Sequence, residues 1–71
     1  MERTSVHSST LRSVGYHDTS FILELEFTTR TVYQYSNVPA SVYLALMNAH
    51  SKGTFFNNYI KDRYRCRKIR G

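Results

Sequence analysis

The sequence predicts an α+β domain, a three-stranded antiparallel β-meander followed by two α-helices packed on one face of the sheet. Three observations predict it. Phe21, Leu23, Leu25 and Phe27 alternate with Ile22, Glu24 and Glu26, which is the period of a strand with one buried face. Through Val32-Tyr33-Gln34-Tyr35-Ser36-Asn37-Val38-Pro39 that period of two gives way to spacings near 3.6. Further on, Ser51-Lys52-Gly53-Thr54 breaks the helical stretch in two. A three-stranded sheet with a bare apolar face is not stable alone, so both helices are placed against it.

Taken in order, residues 1–7 are polar and aperiodic, a start expected to fray. Residues 8–16 carry Leu11 and Val14 among small polar residues and end near Gly15, as a weak edge strand. Residues 21–27 form the central strand, with Glu24 and Glu26 giving it an acidic outer face. Thr28-Thr29-Arg30 connects it to the third strand without the Asn-Gly or Asp-Gly pair of the tightest hairpins. In residues 31–36, Tyr33 and Tyr35 share a face and are placed beside Leu23, Leu25 and Phe27, with Tyr43 meeting them at one corner.

Pro39 suits the first helical position, where its missing N–H needs no partner. The first helix is expected over about residues 39–50, burying Val42, Tyr43, Leu46, Met47 and His50 as one stripe. Ser51 is a suitable N-cap for a second helix over about residues 52–63, with Phe55, Phe56, Tyr59, Ile60 and Tyr64 inward. The expected core is Leu23, Leu25, Phe27, Leu46, Phe55 and Ile60. Residues 1–64 read as one domain and residues 65–71 as a basic tail in which Ile69 alone seeks a contact.

Ser8-Ser9, Val14-Gly15-Tyr16, the strand ending in Phe27, Val32-Tyr33-Gln34-Tyr35, Val38-Pro39, Tyr43, and Ser51-Lys52-Gly53 with Phe55, Phe56, Asn57 and Ile60 follow one another along nearly the whole chain before the tail. In this order they resemble the KTSC domain family, named for the C-terminus of certain lysyl-tRNA synthetases and also found as free-standing bacterial or phage proteins. The sequence departs from the family pattern at His17, inserted before Asp18, and in lacking a glycine in the second hairpin turn. The resemblance implies a small domain of unassigned activity, with RNA suggested by the attachment to a synthetase.

Seventy-one residues allow one small domain and no deep substrate cleft. A lone cysteine, Cys66, forms no internal disulfide, and no Cys/His pair has zinc-site spacing. With no apolar run long enough to span a bilayer, the expectation is a soluble chain in a reducing, cytoplasmic setting. His7, His17 and His50 lack a nucleophile partner, and Cys66 has nothing to hold a substrate near it, so no catalytic residue, metal or cofactor is assigned.

The net charge of +5 is a C-terminal property. Up to Ile60 the bases Arg3, Arg12, Arg30 and Lys52 balance Glu2, Asp18, Glu24 and Glu26, whereas Lys61, Arg63, Arg65, Arg67, Lys68 and Arg70 face Asp62 alone. Such a run is either a footprint for a phosphate-rich partner or a solvated tail. Arginines interleaved with aromatics suit single-stranded RNA, and Tyr64 is the exposed stacking candidate there; Tyr33 and Tyr35 are either stacking residues or core. Lys52 and Gly53 at a helix N-terminus, with Asn57 one turn on, form either a phosphate seat or an ordinary interhelical turn. Two functions follow: a nucleic-acid-binding module, chiefly for RNA, or a protein-interaction domain, such as a phage or bacterial regulator docking on an acidic surface of the transcription or translation machinery.

Overall fold

The computed structural model describes residues 2–71. Strands β1 (Thr4–Ser5), β2 (Leu11–His17), β3 (Ile22–Phe27) and β4 (Val32–Tyr35) run as a meander, followed by α1 (Ala40–Asn48), α2 (Lys52–Tyr59) and β5 (Cys66–Arg70). All five strands join one antiparallel sheet in the order β1-β2-β3-β4-β5. The α+β class and the β2-β3-β4 meander are as the sequence predicts, but the sheet has five strands rather than three. The two additions have no buried alternation to reveal them. β1 is two exposed residues, and every residue of β5 is exposed. β5 is recruited through the backbone: Ser36 N–H donates to Arg65 O at 2.8 Å, and four residue pairs then align β4 with β5. The expected tail is therefore an edge strand.

Leu23, Leu25, Leu46 and Ile60 are completely buried, joined by Leu11, Val14 and Val38. Phe27 and Phe55 lie half-buried at the rim instead of inside. Phe27 is edge-on to Phe56 at 5.2 Å and to Tyr33 at 5.9 Å. Phe21 leaves the alternation altogether: it is 51% exposed at φ 58, in the turn before β3. Tyr43 does not join Tyr33 and Tyr35. It stacks on Tyr16 at 4.8 Å, while the Tyr16 hydroxyl donates to Val38 O at 2.6 Å and ties the pre-helix loop to β2.

The helices are shorter than their periodicity suggests. Pro39 is the residue before α1 rather than its first helical one, and its carbonyl accepts from Val42 N–H and Tyr43 N–H. Ala49 is extended, so His50 lies outside α1 and is exposed. Ser51 caps α2 as expected, its Oγ accepting from Thr54 N–H at 3.3 Å. α2 stops at Tyr59, itself 56% exposed, because Asp62 turns the chain at φ 63 toward β5.

The β3–β4 connection explains itself through its hydrogen bonds. Arg30 N–H donates to Phe27 O and Phe27 N–H to Thr31 O, with Arg30 at φ 71. This is a three-residue hairpin loop whose last position normally favours glycine. Arginine occupies it here.

Candidate nucleic-acid interface

Antiparallel register divides the sheet into two faces. Val14, Leu23, Leu25, Tyr33 and Tyr35 belong to the face that meets α1 and α2, while Ser13, Glu24, Glu26, Gln34, Arg67 and Arg70 alternate onto the other. Among the described residues both helices pack on the first face and none covers the second. The sequence gives it an acidic character, yet the acids are used internally. Arg3 bonds Glu24 through Nη1, reaches Glu26 at 3.8 Å through Nη2, and donates from Nε to Ser13 Oγ at 2.9 Å. Ser13 in turn donates to Glu26 at 2.8 Å, and Gln34 to Glu24 at 2.9 Å.

The electrostatic result follows from that network. The Ser13 hydrogen bond holds the Glu26 carboxyl below the usual carboxylate range; the Arg3, Arg12 and Arg70 charges help, against an opposing desolvation. Glu24 is 3% exposed, and its two oxygens are taken by Arg3 and Gln34. Among the described residues every ion pair uses Arg3, so Arg12, Arg30, Arg65, Arg67 and Arg70 have no carboxylate within 4 Å, although the charges of Arg12 and Arg70 reach Glu26. With Arg3, Arg12, Arg30, Arg65, Arg67 and Arg70 against Glu24 and Glu26, the outer face is positively charged.

Three open clefts run along this face and share lining residues. The first, about 430 Å³, is bordered by Ile22, Gln34, Ser36, Arg65, Cys66 and Arg67. A second, about 290 Å³, shares Gln34 and adds Arg3, Glu24, Val32, Ile69 and Arg70. The third, about 380 Å³, shares Arg70 and adds Arg12, Glu26 and Arg30. Adjoining through Gln34 and Arg70, they form a track lined by Arg3, Arg12, Arg30, Arg65, Arg67 and Arg70, with Glu24 and Glu26 among them.

The expected site residues divide among three places. Arg65, Arg67 and Arg70 border the track. Lys68 pairs with Tyr33 across the ladder and so belongs to the helix-side phase of β5. Lys61 and Arg63 are exposed in the turn before β5, apart from the clefts. Tyr35 is corrected as a stacking residue: it is 5% exposed, edge-on to Phe56 at 5.9 Å, and burial pushes its hydroxyl far above the usual phenol range. Tyr33 and Tyr64 are half-buried and pack against the core.

The start of α2 is already occupied by its own side chains. Lys52 Nζ donates to Ala49 O at 3.2 Å, Ser51 Oγ takes the Thr54 N–H, and a Cβ on Gly53 would come 2.5 Å from Thr10 Oγ1. Gly53 thus permits close packing with Thr10, and no open approach for an anion lies on that side. Asn57 is exposed one turn further along α2.

Arg3, Arg12, Arg30 and Gln34 are what sequence reasoning left out. Counting charges along the chain balanced Arg3, Arg12, Arg30 and Lys52 against Glu2, Asp18, Glu24 and Glu26, but in space Arg3 bridges Glu24 and Glu26 while Arg12 and Arg30 border a cleft with Arg70. No group of three or more His, Cys, Asp or Glu side chains suited to a metal occurs among the described residues, and no helix there is long and apolar enough to cross a membrane.

A family model, that of the KTSC domain, matches residues 7–64. An uncharacterised protein of Stutzerimonas stutzeri is 42% identical over 64 residues, covering 90% of each chain. A lysine–tRNA ligase of Nostoc punctiforme is 36% identical over 61 residues, spanning 86% of this chain and 11% of the ligase. The crystal structure of a KTSC domain protein from Yersinia pestis superposes with a TM-score of 0.94 at 41% identity, covering 96% of both chains.

Proposed function

This chain belongs to the KTSC domain family, and on that premise we propose that it is a small, non-enzymatic nucleic-acid-binding module, with RNA its favoured partner, acting through the arginine track on the uncovered sheet face. The observation that carries this reading is the charge balance of the outer face: Arg3 pairs with Glu24 and lies 3.8 Å from Glu26, while Arg12, Arg30, Arg65, Arg67 and Arg70 border the clefts with no ion pair within 4 Å. Unpaired arginines on an open sheet face offer forked donors to phosphate oxygens. That a lysine–tRNA ligase carries a similar segment favours RNA.

Contact with phosphate, rather than stacking on aromatic rings, provides the affinity in this reading. The tyrosines of β4 lie on the helix side, and no aromatic ring lines the track, whose arginines stand among Gln34, Glu24, Glu26 and small or aliphatic residues. The setting is cytoplasmic, as the lone exposed thiol of Cys66 suits a reducing compartment.

Docking on an acidic protein surface is the second reading. It draws on the same arginines and on the outer backbone edge of β5, which pairs with no other strand among the described residues and is open to strand addition. Gel retardation of mixed RNA oligonucleotides at low salt separates the two. Retardation by the parent and its loss in the Arg67→Ala, Arg70→Ala double variant support RNA binding. Absence of retardation with the folded parent leaves the protein-docking reading.

A further inference from the structure

Arg12, Arg30 and Arg70 differ from the other arginines of the track because they converge. They come from three different elements and border one cleft of about 380 Å³, whose fourth lining residue is Glu26. Each sits on or beside a backbone irregularity. Arg12 is the extra residue of a β-bulge between the Leu11–Phe27 and Ser13–Glu26 pairs. Arg70 follows Ile69, the extra residue where Val32 pairs with Arg70 and Tyr33 with Lys68. Arg30 is held at φ 71, a conformation in which arginine is strained and glycine is not. Bulges re-aim side chains, and strain kept in a native structure marks functional sites.

None of the three guanidinium groups has an ion-pair partner among the described residues. Glu26 has given one oxygen to the Ser13 hydroxyl and lies 3.8 Å from Arg3. Its charge offsets part of the repulsion among the three cations while leaving the cleft with a formal charge near that of a doubly charged cation. A phosphate monoester above its second ionisation is the complementary dianion, with three terminal oxygens for forked donors. A phosphodiester carries one charge and two free oxygens, and matches the cleft less well.

We propose that the Arg12-Arg30-Arg70 cleft binds a phosphate monoester, the group found at the end of a nucleic-acid strand or on a nucleoside monophosphate. In its strand-end form the assignment rests on the nucleic-acid reading above, with Arg65 and Arg67 following the chain away from the terminus. Phosphate capture itself does not depend on that reading.

The test is an NMR titration of the full chain, following the arginine Nε–Hε signals, with four probes: inorganic phosphate, adenosine 5′-monophosphate, and one oligoribonucleotide with and without a 5′-phosphate. Phosphate and the monophosphate are expected to shift Arg12, Arg30 and Arg70 selectively, more tightly above pH about 6, where the second proton leaves. The 5′-phosphorylated strand should bind about tenfold more tightly than its hydroxyl twin, the scale of one lost charge-assisted contact. Arg30→Gly removes one fork at a position where glycine relieves strain, so it should fold at least as well and lose that preference.

No selective shift of Arg12, Arg30 and Arg70 with the small probes, or shifts confined to Arg65 and Arg67, would overturn the cleft, and equal affinity of the two strands would overturn its strand-end form while leaving nucleic-acid binding in place. Shifts at the cleft with the small probes, but no binding of either strand, would keep the cleft and remove the nucleic-acid reading. A folded Arg30→Gly variant that keeps the full phosphate preference also overturns the assignment.

Discussion

Removing residues 65–71 is the perturbation on which the tail and the strand descriptions of this segment differ most. A solvated tail comes off without consequence, whereas β5 does not. It meets β4 through four residue pairs, preceded by the 2.8 Å bond from Ser36 N–H to Arg65 O. About four ladder hydrogen bonds at ~1 kcal/mol net each amount to about 4 kcal/mol. Val32, 1% exposed in the intact sheet, would also lie on a free edge. A domain of this length is stable by roughly 4–11 kcal/mol, so the truncation should remove a large fraction of that. Urea denaturation followed by far-ultraviolet circular dichroism should show a midpoint well below the parent's, or a chain unfolded without urea. The companion variant replaces Arg65, Arg67, Lys68 and Arg70 by Thr, which favours strands, and should remain folded. A truncated chain that unfolds at the parent's midpoint would refute the structural role of β5.

The remaining predictions concern core, close packing and charge. Leu25→Ala empties a completely buried site and should destabilise by about 2–5 kcal/mol in the same denaturation assay. Gly53→Ala gains ~1 kcal/mol of helix propensity but forces a shift of Thr10, whose Cβ would lie 3.0 Å from the new methyl, so a net loss of about 1 kcal/mol is expected. Glu26 has a folded pKa below its unfolded value, so the unfolded chain binds more protons as acid is added; its contribution is present above the unfolded value and is lost as pH falls through the folded one. Ser13→Ala removes the first cause of that shift and should flatten the acid limb of a stability-versus-pH profile; an unchanged limb would assign the acid sensitivity elsewhere.

Where side-chain pattern reports burial, the sequence was a sufficient guide. Leu23, Leu25, Leu46 and Ile60 are buried as their spacing requires, and Ser51 caps α2. Pattern fails where the backbone decides. β5 consists of Cys66, Arg67, Lys68, Ile69 and Arg70, with no buried side chain to reveal an edge strand formed by ladder bonds. Phe21 continues a period of two but falls in a positive-φ turn. The candidate surface was half legible. Arg65, Arg67 and Arg70 stand out in a basic run, whereas Arg12 and Arg30 become cleft residues only once β2, the β3–β4 turn and β5 meet at one end of the sheet. Linear charge counting also cannot see that Arg3 bridges Glu24 and Glu26 on the acidic side of β3, with the charges of Arg12 and Arg70 also acting on Glu26.

The salt dependence of RNA affinity tests the outer-face account most directly. Each phosphate contact contributes about 0.7 to the slope of log affinity against log salt on a single strand. Replacing Arg67 and Arg70 by Gln should reduce that slope by about 1.4, while replacing Lys52 and Lys68, on the helix side, should leave it unchanged. A slope that falls with the two lysines and not with the two arginines would contradict the account and move the interface to the opposite face of the sheet.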